Sequence, residues 1–194
     1  MLDNLKNRNV ILASHSPRRR ELIKMLDIDF TLAQTIEVDE TIPQDMEPES
    51  VPEYLAALKA DAYKPLMQDN DIYITADTVV IIDDSILGKP VDENDARRML
   101  RSLSGRRHKV VTGVCLTSKR HRSTFSVTSY VDFSPLSDEA IDYYVGHYRP
   151  MDKAGAYGIQ EWIGAVAISG IEGSFYNVMG LPVQRLYEAL RDFR

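Results

Sequence analysis

The spacing of apolar and polar positions divides most of the chain into predicted helices and strands. Residues 10–13 read as a short buried strand. Ser16 followed by Pro17 has the form of an N-cap with proline at the first helical position, so a helix is expected through Arg18 to about Leu26. Ser50 and Glu53 have capping-box spacing ahead of apolar positions Val51, Leu55, Leu58 and Ala62, and Pro65 supplies a stop. The β-branched runs 72–75 and 79–82 predict strands, with Asp83, Asp84 and Ser85 as the turn to a partner strand containing Ile86 and Leu87. Asp92 can cap a third helix whose buried face is Ala96, Met99, Leu100 and Leu103, with Gly105 at the C-terminal glycine position. Residues 110–116 predict another strand, and the basic turn 119–122 leads to one whose buried parity is Phe125, Val127, Val131 and Phe133. Ser137 opens a fourth helix with Ile141, Tyr144, Val145 and Tyr148 at helical spacing, and Tyr143, Tyr144 and Tyr148 are expected in the core. Pro182 starts a last helix ending near Phe193, while the Gly-rich, aromatic stretch 153–180 receives no regular element.

These elements mix without strict alternation, which predicts a mixed-sheet α/β or α+β architecture rather than a Rossmann fold. No internal repeat, low-complexity tract or long linker interrupts the chain, and 194 residues with 44% hydrophobic content can bury one sizeable core. One domain over residues 1–194 is expected.

Charge narrows the partners. Lys and Arg number 23 against 29 Asp and Glu, and the net charge of −6 argues against nucleic acid or anionic membrane as a general partner. An anionic ligand must therefore meet a local basic site. Cys115 is the only cysteine, which rules out an internal disulfide or a cysteine metal cluster and favours a reducing compartment. Residues 1–9 carry Asp3, Lys6 and Arg8 and lack a signal-peptide core, and the strongest apolar runs are far shorter than the roughly 20 residues that span a bilayer. A cytoplasmic protein is expected.

Arg18, Arg19 and Arg20 lie in the first turn of the first predicted helix, where the macrodipole disfavours cations by roughly 0.3–1 kcal/mol each. A bound anion reverses that penalty, and helix N–H groups, the hydroxyls of Ser14 and Ser16 and forked guanidinium groups together suit a phosphate chain. On this reading, removing Arg18 or Arg19 weakens binding of the phosphate ligand while the melting temperature holds or rises. Asp77 stands between two apolar runs, where a carboxylate needs a partner and can bind a hard cation or accept a proton from water; a local turn or bulge role is the alternative. Lys89, between Gly88 and Pro90, does not complete a P-loop. Lys59 sits beside the buried face of the second helix, where snorkelling to solvent is the ordinary outcome. Glu37, Asp39 and Glu40 form an acidic group that reads as a solvated loop or the source of one metal ligand, and His15, His108, His121 and His147 have no metal-ligand spacing.

In order along the chain, the segments ILASHSPRRRELI, VDETIP, LKA, TADTVV, LGKP, LSGRRHKVVTGV, DKAGAYGIQ and GSFYNVMGLP resemble the Maf family of nucleotide pyrophosphatases over nearly the whole length. The resemblance implies an elongated mixed sheet flanked by helices, like that of inosine-triphosphate pyrophosphatases, with two lobes, a central cleft and a homodimer. It places a phosphate site on Ser14, Ser16, Arg18 and Arg19 with Lys59 and Lys89 nearby, and makes Asp77 the proton acceptor. It also implies Mg²⁺ or Mn²⁺ held by Glu40 and Asp77, and base selection by Arg19, Gln160 and Thr78, the last set beside Asp77. The DTVV and AGAYGIQ forms resemble the branch that converts dTTP or UTP to the monophosphate and pyrophosphate. The same chemistry on 7-methylguanosine triphosphate, and a nucleotide-responsive regulator of division or septum formation with weak hydrolysis, are the alternatives. Arg107 and Arg149 depart from the pattern, standing where relatives commonly have threonine and glutamate.

Overall fold

The computed structural model describes residues 2–194. Its strands are β1 (Asn9–Leu12), β2 (Thr31–Leu32), β3 (Asp71–Ile82), β4 (Ser85–Leu87), β5 (Arg107–Thr117), β6 (Arg122–Phe133) and β7 (Ile168–Glu172). The helices are α1 (Pro17–Lys24), α2 (Val51–Tyr63), α3 (Glu93–Leu103), α4 (Asp138–Tyr148), α5 (Trp162–Ala167), α6 (Phe175–Met179) and α7 (Val183–Asp192). The sheet runs β2-β1-β3-β5-β6-β7, with β4 paired to β3 off this path. β1 is parallel to β2 and β3, whereas β3/β4 and β6/β7 are antiparallel, so the expected mixed sheet is present. The chain divides into two compact units, residues 2–77, 112–127 and 180–194 in one and residues 78–111 and 128–179 in the other.

In the first unit α2 lies on the sheet through small residues. Ala56, Ala60 and Cys115 form one buried cluster. Gly113 makes the approach possible: a Cβ there would stand 2.2 Å from the Glu53 nitrogen and 2.2 Å from the Pro52 carbonyl carbon. Tyr63 stacks on Tyr73 at 5.3 Å beside Met67. The Ser50 and Glu53 capping box does not form, because Ser50 has helical φ/ψ as the last residue of a 3-10 turn, Pro48–Ser50, and its side chain makes no cap bond. That turn and Pro52, which has no N–H, reduce the need for a side-chain acceptor.

The second unit packs Ala96, Met99, Leu100 and Leu103 of α3 against Ile141, Tyr144 and Val145 of α4 in one core. Asp92 and Ser137 cap these helices as expected, their side chains accepting from the Asp95 and Ala140 N–H groups. The turn between β3 and β4 uses Asp83 and Asp84 at φ 48° and 59°, the positive pair that a two-residue type I′ hairpin requires. Of the three tyrosines expected in the core, only Tyr144 is buried. Tyr143 and Tyr148 are 45% and 36% exposed, Tyr143 resting on His147 and Trp162 and Tyr148 stacking on Tyr144. The stretch 153–180, left without regular structure by the sequence reading, holds α5, β7 and α6. Elements of five or six residues are too short to print a period on the sequence.

Candidate active site

The central strand β3 carries the candidate carboxylate. Side chains alternate along a strand, so Thr75 and Asp77 share a face, and both meet α2. The Thr75 hydroxyl donates to the Ala56 carbonyl at 2.7 Å. One helical turn along α2 from Ala56, the Lys59 ammonium donates to Asp77 Oδ1 at 2.6 Å. Lys59 also lies 3.1 Å from Glu40 Oε2, so one ammonium joins both carboxylates; it is not the snorkelling lysine of the sequence reading. Asp77 is 16% exposed and Glu40 48%. The loop bearing Glu40 is fixed by Asp39, which accepts from the Thr41 N–H at 3.1 Å and hydroxyl at 2.6 Å, and by the Tyr54 hydroxyl donating to the Thr41 carbonyl at 3.4 Å.

The basic group is built at the start of α1. Ser16 is the N-cap, its hydroxyl oxygen accepting the Arg19 N–H, and the Ser14 hydroxyl oxygen accepts the Ser16 N–H at 3.3 Å. The Arg19 guanidinium turns toward the protein. Its Nε donates to the Gly180 carbonyl at 2.8 Å and its Nη1 to the Ala76 carbonyl at 2.9 Å. The reason is visible in the backbone. β1 stops at Leu12, and Ala13 makes the next bond, its N–H donating to the Ile74 carbonyl; two residues further along β3, Arg19 takes the place of a neighbouring strand. Burial holds the Arg19 pKa below its ordinary value, opposed first by Asp77, assisted by Arg18 and opposed again by Glu40. Arg18 is half-buried, and Arg20 donates to the His15 carbonyl at 3.4 Å.

Ser14, Ser16, Arg18, Arg19, Glu40, Lys59 and Asp77 all belong to the first unit. Thr78, Lys89 and Gln160 belong to the second. Thr78 directly follows Asp77 on β3, and both are half-buried. Lys89 and Gln160 are exposed, Lys89 following Gly88, whose carbonyl accepts the Gly155 N–H at 3.0 Å.

A family model described as Maf-like protein matches residues 9–193. This chain belongs to the Maf-like family. Its relatives include a dTTP/UTP pyrophosphatase of Porphyromonas gingivalis, 58% identical over 100% of this chain and 98% of that protein. Proteins of the same description from Bacteroides thetaiotaomicron and Parabacteroides distasonis are each 51% identical, over 98% and 100% of this chain and 99% and 100% of theirs. A HAM1 protein from Coxiella burnetii shares the fold, with a TM-score of 0.50 at 16% identity over 94% of this chain and 98% of that one.

The two arginines singled out by the motif comparison have different settings. Arg107 is ion-paired with Glu172 and lies 4.7 Å over the Tyr130 ring. Arg149 ends α4 in the left-handed conformation, φ 44° and ψ 64°, its N–H donating to the Val145 carbonyl. Sequence reasoning missed the carbonyls of Ala76 and Gly180 as partners of Arg19, since a backbone acceptor leaves no mark on residue type. Among the described residues no group of three or more His, Cys, Asp or Glu side chains is arranged to hold a metal ion. Glu40 and Asp77 are instead joined through the Lys59 ammonium, which lies 3.1 and 2.6 Å from an oxygen of each. No helix among the described residues is long and apolar enough to cross a membrane.

Proposed function

We propose that this Maf-like protein hydrolyses dTTP and UTP to the nucleoside monophosphate and pyrophosphate. The observation that carries this reading is the joining of Asp77, Lys59 and Glu40, with Arg19 bonded to the carbonyl of the residue before Asp77. Full-length relatives described as dTTP/UTP pyrophosphatases support the substrate. In this account the hydroxyls of Ser14 and Ser16 and the cations Arg18, Arg19, Lys59 and Lys89 bind the triphosphate. Water attacks the α-phosphorus in line, Asp77 accepts its proton, and the bond from the α-phosphorus to the bridging oxygen breaks, with its electron pair leaving on pyrophosphate. Two carbonyls fix the orientation of Arg19, so little reorganisation is needed as charge grows on the departing oxygens. Glu40 and Asp77 would hold a divalent cation, Mg²⁺ or Mn²⁺, which when bound neutralises phosphate charge.

Gln160 is the proposed base reader, assisted by Arg19 and Thr78. A glutamine amide offers one donor and one acceptor edge, which complements two adjacent groups of uracil or thymine and mismatches cytosine. The proposal extends to one enzymatic domain acting in the cytoplasm as a homodimer. The test is Asp77→Asn, which keeps size and removes the proton acceptor. Turnover of dTTP is expected to fall at least ~100-fold with nucleotide binding retained, as measured by pyrophosphate release and equilibrium binding. Near wild-type turnover would remove Asp77 from the reaction.

A further inference from the structure

The segment that presents Gln160 is held by a closed polar network that no role above uses. Tyr144 of α4 is fully buried, and its hydroxyl oxygen accepts the Gly158 N–H at 3.0 Å while its proton is donated to Glu161 Oε2. The other Glu161 oxygen lies 3.1 Å from the Lys153 ammonium, which is 9% exposed and also donates to Asp152 at 2.7 Å. Three points of one segment, Lys153, Gly158 and Glu161, are thus tied together and to α4. The backbone is equally constrained. The Glu161 N–H donates to the Gly158 carbonyl at 3.0 Å, and a Cβ on Gly158 would stand 2.8 Å from Glu161 Cδ and 3.0 Å from Lys153 Cε. Gln160 is exposed between buried Ile159 and tethered Glu161, so its backbone has little freedom while its amide faces outward.

We infer that Tyr144, Glu161 and Lys153 are positioning residues for Gln160, setting the pose of its amide and through it the preference for uracil and thymine over cytosine. This rests on the proposed base-reading role of Gln160. Buried Lys153 and Tyr144 both meet the half-buried Glu161, and polar groups withdrawn from water in this way need the partners they have. Removing the Tyr144 hydroxyl leaves the Gly158 N–H without its acceptor and Glu161 with Lys153 alone, so the segment from Gly158 to Glu161 loses its anchor to α4.

The experiment measures kcat and KM for dTTP and CTP, with circular dichroism as a check on folding, in wild type, Tyr144→Phe, Glu161→Gln, Gln160→Ala and the double variant Tyr144→Phe/Gln160→Ala. The expected result is a three- to tenfold loss in the dTTP-to-CTP ratio of kcat/KM for Tyr144→Phe, larger than its effect on kcat for dTTP, and no further loss when the same change is added to Gln160→Ala. Glu161→Gln is expected to act in the same direction and serves if Tyr144→Phe does not fold. Unchanged selectivity in the folded single variants, or an equal loss with and without Gln160, overturns the positioning role. An unchanged ratio in Gln160→Ala overturns the base-reading role itself and the positioning role with it.

Discussion

Arg19→Ala tests whether the guanidinium is a structural tie as well as a phosphate ligand. The substitution removes donors from two backbone carbonyls, those of Gly180 at 2.8 Å and Ala76 at 2.9 Å. An unsatisfied buried acceptor costs about 1–3 kcal/mol, but the site is only half-buried and water can replace part of each bond, so the pair is worth roughly 2–4 kcal/mol. Relief of the unfavourable cation at the helix N-terminus returns about 0.3–1 kcal/mol. The net loss is about 1–4 kcal/mol, which at roughly 2–4 °C per kcal/mol for a chain of this size lowers the melting temperature by about 2–16 °C. This reverses, for Arg19, the expectation from sequence that the melting temperature holds or rises. Arg19→Lys, with a single ammonium, can reach one carbonyl and should fall between. Arg18→Ala leaves the two Arg19 bonds in place and is expected to stay within about 1 kcal/mol of wild type. Thermal unfolding of the three variants alongside kcat/KM for dTTP separates the effects. A melting temperature for Arg19→Ala at or above wild type would show that the two carbonyls do not depend on the guanidinium.

Gly113→Ala drives a methyl group into the Pro52 and Glu53 backbone and should cost about 3 kcal/mol, the upper part of the overpacking range, read as a lower urea midpoint; an unchanged midpoint would mean α2 can lift from β5 without penalty. His108 is buried between Phe133 and Tyr157, its Nε2 is 2.8 Å from the Tyr157 hydroxyl, and burial pushes its pKa down to about 4. The unfolded chain takes up this proton near pH 6.5 and the folded chain only near 4, so stability from this group is complete above 6.5 and falls by about 3 kcal/mol as pH drops through that window. His108→Gln, which does not titrate, should flatten the slope of stability against pH between 6.5 and 4; an unaltered slope would assign it to other groups.

The long elements were legible because their physics is local. Ser16, Asp92 and Ser137 are N-caps, and the Asp83–Asp84 turn and the apolar faces of α3 and β6 stand where the pattern places them. What the pattern could not give depends on contacts remote in sequence. Lys59 and Asp77 are 18 residues apart and Arg19 and Gly180 are 161 apart, and no periodicity couples such pairs. The failed capping box at Ser50 shows the limit of a local rule: the spacing was right, but a preceding 3-10 turn had already set the backbone. The motif resemblance named the residues, and the geometry added that Lys59 joins Glu40 to Asp77.

The most direct measurement is pyrophosphate release from dTTP, UTP, CTP and 7-methylguanosine triphosphate by the purified chain, with and without Mg²⁺. The account predicts metal-stimulated turnover with dTTP and UTP preferred over CTP by at least about tenfold in kcat/KM, the size of effect that one or two mismatched hydrogen bonds produce. Turnover of CTP equal to that of UTP, preference for 7-methylguanosine triphosphate, or no release of pyrophosphate from any of them would contradict it.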